Sequence, residues 1–140
     1  MGEKLRTNRE LARRTYDLWN AGGVDAVAER LWAPDVVYHD APEVPDADVF
    51  RGVEAVGSRI RAIMESLGPM RQRVRSLEER DDYTLAALEL TFKGASSGVQ
   101  ATTPLFQIIR WEDGLVREFW NYTDADQARR GFEHLSAQSA

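Results

Sequence analysis

The first part of the chain places apolar residues at the spacing of α-helices. Thr7-Asn8-Arg9-Glu10 matches a capping box, in which the threonine hydroxyl and the glutamate carboxylate satisfy backbone amides at a helix start. We therefore predict a first helix to about Asn20, interrupted by Ala21-Gly22-Gly23. A second, shorter helix that Pro34 ends is predicted from the apolar residues Val24, Val27, Ala28, Leu31 and Trp32.

A strand and a third helix are predicted next. Residues 35–40 have the composition of a short strand, and residues 41–48, rich in proline and acids, have that of a loop at the rim of a site. From Val53 to Leu67 apolar residues recur every three or four positions, until Gly68-Pro69 ends the pattern. This period predicts the third helix.

From Met70 onward the period is that of extended chain. Turn residues separate four runs, which predict an antiparallel meander. The runs are Arg71 to Glu79, Tyr83 to Lys93, Val99 to Trp111 and Leu115 to Thr123, and the turns are Asp81-Asp82, Gly94 to Gly98 and Glu112-Asp113-Gly114. Thr123-Asp124-Ala125-Asp126 then resembles the start of a short terminal helix with Phe132 and Leu135 as its apolar contacts.

The last hairpin sets the register of the predicted sheet. A three-residue loop at Glu112-Asp113-Gly114, with glycine in the left-handed conformation, would place Trp111 opposite Leu115. Counting back from that pair places Gln107 opposite Phe119 on one side of the sheet. The same count pairs Ile109 with Arg117 and Leu105 with Asn121.

The other side of this hairpin is too apolar for a surface that meets only water. It carries Phe106, Ile108, Arg110, Val116, Glu118, Trp120 and Tyr122. Because the helices can cover only one face of a curved sheet, and large apolar patches usually mark interfaces, we expect this outer face to meet a second copy of the chain. The expected assembly is a homodimer.

Composition and charge argue against several classes of function. A chain of 140 residues that is 43% hydrophobic is expected to form one domain, residues 1–140. Its net charge of −5, with arginines interleaved among acids, argues against nucleic-acid binding. No apolar run approaches the roughly 20 residues of a membrane span. Without cysteine, with two distant histidines and with no signal-like start at Met1-Gly2-Glu3-Lys4, we expect no thiolate, metal or cofactor chemistry and a cytoplasmic location.

Asp40 is the strongest candidate for chemistry. It closes the run Val36-Val37-Tyr38-His39-Asp40, from which its carboxylate could project into a cavity between helices and sheet. An apolar, aromatic-rich setting disfavours the charged form of a carboxylate, which suits the group to proton transfer near neutral pH. The alternative is a structural aspartate that accepts hydrogen bonds from the turn at residues 41–43.

Other side chains have two open interpretations each. Glu89 could be a second buried carboxylate facing Gln107, or could lie at the open mouth of the fold. His39 would reach the site only through strand twist or a bulge, because adjacent side chains on a strand point to opposite faces. The aromatic residues Tyr16, Trp19, Tyr38, Phe50 and Phe119 could line a cavity or simply fill the core.

The order of these elements resembles the nuclear transport factor 2 superfamily, and most of all its SnoaL-like polyketide cyclases, with ketosteroid isomerase and limonene epoxide hydrolase as relatives. The segments that carry the resemblance are Asn20-Ala21-Gly22 with Val24 to Trp32, Tyr38-His39-Asp40, Arg51-Gly52-Val53-Glu54-Ala55-Val56, and Glu112-Asp113-Gly114-Leu115-Val116-Arg117-Glu118-Phe119-Trp120-Asn121. The resemblance implies an α+β cone: a curved antiparallel sheet wrapped around three N-terminal helices, with a short C-terminal helix. It also implies an apolar cavity with a few polar groups.

The resemblance to ketosteroid isomerase assigns roles to particular residues. Asp40 falls at the proton-transferring aspartate and Gln107 at the second, protonated aspartate. The oxyanion tyrosine falls at or beside Thr15, one position before Tyr16. Gln107 could still donate a hydrogen bond to a developing enolate, although a neutral amide stabilises that charge less than a strongly acidic donor does.

The other two relatives map less completely. The acid/base aspartate of the polyketide cyclases falls at Asn121, which does not exchange a proton at ordinary pH. An epoxide hydrolase needs an arginine flanked by inward acids, whereas Arg110 is predicted on the outer face and Glu89 stands alone.

These expectations give three functional hypotheses. The first is a cofactor-free isomerase, cyclase or related lyase for an apolar, polyketide- or terpenoid-like carbonyl compound. Asp40 would move the proton, Gln107 and Asn121 would orient the carbonyl oxygen, and Tyr38 and Phe119 would form walls. The second is a non-catalytic protein that binds an apolar ligand in the same cavity. The third is a dimerisation module whose cone is filled by its own side chains.

Overall fold

The computed structural model describes residues 6–93 and 100–138. In chain order the elements are α1 (Asn8–Leu31), β1 (Trp32–His39), β2 (Val49–Arg51), α2 (Val53–Leu67), β3 (Met70–Arg80), β4 (Tyr83–Lys93), β5 (Gln100–Glu112), β6 (Leu115–Tyr122) and α3 (Ala125–Gln138). The predicted turn from Gly94 to Gly98 lies outside the described residues, as does Met1-Gly2-Glu3-Lys4. No helix in the described part of the chain combines the length and apolarity needed to cross a membrane.

The first two predicted helices lie end to end within α1, and the predicted interruption falls at Gly23. It begins with the predicted capping box, in which Thr7 and Glu10 bond each other's backbone amides. Gly23 then adopts φ 73° and ψ −162°, a conformation that glycine reaches without a Cβ clash, and the helix changes direction there. It ends at Leu31, because Trp32 already begins β1, ahead of the predicted stop at Pro34.

The sheet has the strand order β2-β1-β6-β5-β4-β3. The meander of β3 to β6 is confirmed, with antiparallel pairing throughout. The predicted α+β cone is confirmed, but its sheet is mixed and not antiparallel throughout, because β1 lies parallel to β6, with Tyr38 opposite Phe119. Parallel neighbours need a long crossover, and here α2 and the four strands β2 to β5 form it. The edge strand β2 was not predicted, since three residues are too few to show a period.

The turn between β5 and β6 has two residues, so the predicted three-residue loop is wrong. Glu112 pairs with Leu115, and the residues between them, Asp113 and Gly114, have φ angles of 53° and 78°. Positive φ at both central positions is the signature of a type I′ turn, whose twist matches that of the flanking strands.

The shorter turn and a bulge that follows it each move the register by one residue from the prediction. Arg117 is the extra residue, and beyond it Gln107 lies opposite Asn121 instead of Phe119. The predicted pairs Ile109 with Arg117 and Leu105 with Asn121 are wrong for the same reason. Val116 precedes the bulge and packs in the inner core, not on the outer face as predicted.

Helices cover both faces of the sheet. The main core lies between its inner face and the helices α1 and α2, and includes Tyr16, Val56, Leu88 and Ile109. Helix α3 packs on the outer face, where Phe132 contacts a second cluster. That cluster includes Tyr83, Leu85, Phe106, Ile108, Trp120 and Tyr122. The premise that one face is free of helices therefore holds only for the part that α3 leaves uncovered, and the homodimer stays a prediction.

Candidate active site

A cavity of about 210 Å³ lies between the inner face of the sheet and the helices α1 and α2. It exceeds the roughly 150 Å³ of an apolar cavity that holds benzene. Its polar lining residues are Thr15, Tyr38, Asp40, Gln72, Gln107, Asn121 and Thr123, and its apolar ones include Trp19, Trp32, Ile60, Met64, Leu90, Leu105, Ile109 and Phe119. This space beside Asp40 counts against a cone filled by its own side chains.

Asp40 reaches the cavity as predicted, but it is not an isolated acid. Its side chain is 1% exposed and forms a bidentate ion pair with Arg59, with Nε to Oδ1 at 3.1 Å and Nη2 to Oδ2 at 2.9 Å. The backbone amide of Asp48 also donates to Oδ2, at 3.1 Å. The loop that follows β1 thus folds back on Asp40, whereas the predicted structural role rested on the turn at residues 41–43.

Arg59 is the residue of the site that sequence reasoning missed. It lies on α2 between Val56 and Ile63, at the edge of the apolar stripe that faces the cavity. Its guanidinium also lies over the ring of Phe50, 5.2 Å from the centroid. The hydrogen bond with Asp40 raises the pKa of Arg59 further above its ordinary value. The sequence signal that could have identified Arg59 was its position as a charged residue beside the apolar stripe of α2.

The two amides of the site belong to one chain of hydrogen bonds. The Tyr16 hydroxyl donates to Oε1 of Gln107 at 2.9 Å, and Nε2 of Gln107 donates to Oδ1 of Asn121 at 3.0 Å. Nδ2 of Asn121 donates to the backbone carbonyl of His39 at 2.9 Å. Because a carbonyl can only accept, the direction of the whole chain is fixed.

Each amide nitrogen carries a second hydrogen that this chain does not use. Nε2 of Gln107 and Nδ2 of Asn121 each make one hydrogen bond within the described residues, and both side chains line the cavity. Burial raises the pKa of the Tyr16 hydroxyl far above its ordinary value, which keeps it protonated as the donor at the head of the chain. Tyr16 lies behind Gln107 and supports the site without lining it.

Aromatic rings form one wall of the cavity. Tyr38 and Phe119 meet edge to face at 5.1 Å between centroids, and Trp32 packs on Phe119 at 5.8 Å. Trp19 lines the cavity too, with its indole nitrogen bonded to the carbonyl of Met70 at 3.0 Å. The pKa of Tyr38 is raised, first by burial and then by the Asp40 carboxylate, while Arg59 opposes this.

Besides Tyr16, three more predicted binding residues lie outside the cavity: Phe50, His39 and Glu89. Phe50 packs behind Tyr38, 6.2 Å from it between centroids. His39 lies on the outer face, stacked on Trp120 at 5.0 Å and 2.5 Å from Glu118, because strand alternation opposes it to Tyr38.

Glu89 also points outward, so its predicted approach to Gln107 is wrong. The residue opposite Gln107 is Ala86, whereas Glu89 shares the other face of β4 with Leu85. There it pairs with Arg75 at 3.1 Å and with Arg73 at 3.6 Å.

Two further observations bear on other kinds of chemistry at the site. Arg110 pairs with Glu118 at 3.7 Å on the outer face, as predicted, so it does not supply the inward arginine of an epoxide hydrolase. Over residues 6–93 and 100–138, no group of three or more histidine, cysteine, aspartate or glutamate side chains is placed to hold a metal ion.

Comparison with known sequences gives one family. A sequence model described as the SnoaL-like domain matches residues 12–119. None of the curated proteins matches the chain. The matched segment contains α1 from its second turn, the loop after β1 and the strand β5 with Gln107, and it ends in β6 two residues before Asn121.

Comparison with solved structures gives the same fold. A proposed polyketide cyclase from Streptomyces antibioticus is 17% identical, with a TM-score of 0.72 over 91% of this chain and 99% of that one. A nuclear transport factor 2-like protein from Burkholderia pseudomallei is 20% identical, with a TM-score of 0.71 over 90% and 97%. A protein from Catenulispora acidiphila with a ketosteroid isomerase-like fold, in complex with trimethylamine, is 12% identical, with a TM-score of 0.69 over 83% and 86%. At these identities the likeness establishes the shared fold.

Proposed function

This chain belongs to the SnoaL-like domain family, and from that premise we propose that it is a cofactor-free isomerase or cyclase for an apolar carbonyl compound with an acidic C–H group. Asp40 is the base, and Gln107 and Asn121 bind the carbonyl oxygen. The observation that carries the proposal is that a buried carboxylate and two amide N–H groups face one apolar cavity.

The amide pair is suited to a developing negative charge on oxygen. The unused hydrogens of Gln107 and Asn121 come from neighbouring strands, where the two residues lie directly opposite each other. Since the hydrogen-bond chain from Tyr16 to the His39 carbonyl holds both amides in place, they need little reorganisation when an enolate forms.

The ion pair of Asp40 with Arg59 supports a particular kind of substrate. Proton transfer to Asp40 requires its carboxylate to give up a hydrogen bond from Arg59, which favours a substrate that releases its proton readily. A methylene between two carbonyl groups releases its proton far more readily than one beside a single carbonyl. Such β-dicarbonyl groups occur along polyketide-like chains, so the proposed substrate class is an apolar β-dicarbonyl compound.

The proposed step conserves every proton. Asp40 takes the proton between the carbonyl groups, and the electron pair of that bond moves onto the carbonyl oxygen held by the amides. In an isomerisation, Asp40 returns the proton to another carbon. In a cyclisation, the enolate carbon forms a bond to a second carbonyl carbon, and the proton goes from Asp40 to the new alkoxide.

Replacement of Asp40 tests this assignment. The expected result is that wild-type protein accelerates exchange of the acidic C–H of acetyltetralone, a bicyclic β-diketone, for deuterium, and that Asp40→Asn slows the catalysed rate by about 100-fold or more. Proton NMR in D₂O measures the rate directly. Asp46→Asn, which removes an exposed carboxylate from the same loop and keeps a residue type that tolerates positive φ, is the matched control and should keep wild-type exchange.

Equal exchange by wild type and Asp40→Asn would rule out the mechanism. Circular dichroism must show that both variants fold, because Asp40 also ties the loop to α2 through Arg59.

A non-catalytic binding protein is the alternative, and the hydrogen bonds that the protein already makes within the site favour it. Asp40 accepts two hydrogen bonds from Arg59 and one from Asp48, and the amide chain closes on the His39 carbonyl without a ligand. In that case acetyltetralone would bind with no acceleration of exchange, and Asp40→Asn would change affinity alone.

A further inference from the structure

One polar side chain in the cavity plays no part in the proposed chemistry. Gln72 is 7% exposed and lines the cavity on β3, two strands away from Gln107. Over residues 6–93 and 100–138 its side-chain amide makes no hydrogen bond, and its N–H and C=O groups are therefore available to a ligand. The lining around it is apolar, including Leu90, Leu105 and Met70.

The backbone of Gln72 is held firmly, which fixes where its side chain enters the cavity. Its amide donates to Oδ1 of Asn20 and its carbonyl accepts from Nδ2 of the same residue, both at 2.8 Å. This pair of bonds fixes the start of β3 to α1. Gln72 lies opposite Leu90, whose side chain lines the cavity, so the two side chains share the inner face.

Gln72 lines a different part of the cavity from the amide pair of Gln107 and Asn121. Gln72 pairs with Leu90 on β4 and Gln107 pairs with Ala86 on the same strand. With about 3.3 Å per residue and about 4.8 Å between strands, their Cα atoms lie roughly 16 Å apart along the sheet. Because the side chains point inward from a curved sheet, ligand groups on the order of 10 Å apart would reach both.

We propose that Gln72 is a second polar anchor, and that the ligand is an elongated, two-ended molecule: a carbonyl group at Gln107 and Asn121, an apolar ring body, and a hydroxyl or carbonyl oxygen at Gln72. This rests on the proposed function only in that the same cavity holds the ligand. A glutamine amide can both donate and accept, so it can bind either kind of oxygen.

A pair of matched compounds tests the anchor. Acetyltetralone and its derivative with a hydroxyl at the far end of the aromatic ring differ only in the group proposed to meet Gln72. Wild-type protein should bind the hydroxylated compound about five- to tenfold more tightly, the effect of one buried hydrogen bond. Quenching of Trp19 and Trp32, which line the cavity, measures both dissociation constants.

Two variants isolate the amide. Gln72→Met keeps the length of the side chain without polar atoms and should bind both compounds alike. Gln72→Asn keeps an amide but shortens its reach, and should lose most of the preference as well. Gln138→Met, an equivalent change on exposed α3, should retain it. Thermal melts monitor folding.

The outcomes separate the two proposals. A preference that persists in Gln72→Met, or equal binding of both compounds by wild type, overturns the anchor and leaves the role of Asp40 intact. A preference that is present in Asp40→Asn and lost in Asp40→Asn with Gln72→Met supports the anchor even if Asp40 proves non-catalytic. Failure of both compounds to bind overturns both proposals.

Discussion

At the scale of single residues, hydrogen-bond saturation determines how a ligand can meet this site. The Asp40 carboxylate accepts from Arg59 and Asp48, and the oxygens of Gln107 and Asn121 each accept from a protein donor. The amide hydrogens of Gln107 and Asn121 that the protein leaves unbonded can donate to a ligand oxygen, which would then lie beside β5 and β6. In the proposed mechanism, a C–H group beside that oxygen gives its proton to Asp40.

A second ion pair gives a pH-dependent prediction for stability. The hydrogen bond from Arg129 lowers the pKa of Glu78 below its usual value of 4.5, linking α3 to β3. A carboxyl whose pKa is lowered on folding stabilises the fold at pH above its unfolded pKa, and this contribution is lost as pH falls through the folded pKa. Glu78→Gln should therefore destabilise the protein near pH 7 and be neutral near pH 2.

The expected difference is small, under about 1 kcal/mol, because the Glu78 side chain is 42% exposed. Urea unfolding at a series of pH values measures it. Glu29→Gln, an exposed change on α1, is the control and should show no pH-dependent difference. A Glu78→Gln deficit that is the same at pH 7 and pH 2 would contradict the linkage.

Residue by residue, the sequence was informative where a local rule applied. Asp40 could be placed in the cavity because it ends a short strand, and His39 could be placed outside it by alternation. Arg59 could not be found in this way, because its contact with Asp40 joins α2 to the loop after β1. Glu89 was placed on the wrong face of β4 because the register between β4 and β5, counted across an assumed turn at residues 94–98, was off by one residue.

At the scale of elements, the hairpin from β5 to β6 builds the amide pair. A two-residue turn alone would place Gln107 opposite Trp120. The bulge at Arg117 advances the register by one residue, so that Gln107 and Asn121 lie opposite each other on the cavity face. The geometry of the proposed oxyanion site therefore depends on a turn far from it.

Replacement of Gly114 tests that dependence. Gly114 has φ 78°, and a Cβ there would meet no atom within 4 Å, so the cost of Gly114→Ala is backbone strain alone. We expect a loss of roughly 1–2 kcal/mol in the free energy of unfolding, measured with urea. Asp113→Asn is the matched control and should be neutral or slightly stabilising, since Asn-Gly favours a type I′ turn. No loss in Gly114→Ala would contradict the turn assignment.

The elements that could be predicted are those with local signals. The capping box at Thr7, the third helix and the meander all have them, and all are present. The parallel pairing of β1 with β6 has none, because it joins residues about 80 positions apart along the chain. The bulge at Arg117 could not be predicted either, because a longer loop would give the same pattern of apolar and polar residues along the chain.

At the scale of the whole molecule, the sheet separates two regions with different roles. Its inner face with α1 and α2 encloses the cavity, and its outer face carries α3 over one part. The remaining outer surface includes Thr91 and Thr102, which lie opposite each other on β4 and β5. A stable homodimer buries about 800 Å² per partner, so this uncovered part would have to supply most of the interface.

Substitutions at two neighbouring residues of β5 therefore test the homodimer prediction. Thr102 and Thr103 are both exposed neighbours on β5, but their side chains point to opposite faces, Thr102 outward and Thr103 inward. If the outer face forms the dimer, wild type sediments at twice the mass of the chain, and Thr102→Arg shifts it towards monomer because two like charges meet across the symmetric contact. Thr103→Arg adds the same charge and bulk on the other face and leaves the dimer intact. Sedimentation velocity over a range of concentrations measures all three. A wild-type monomer at every concentration would refute the dimer, and equal dissociation of both variants would refute its placement on the outer face.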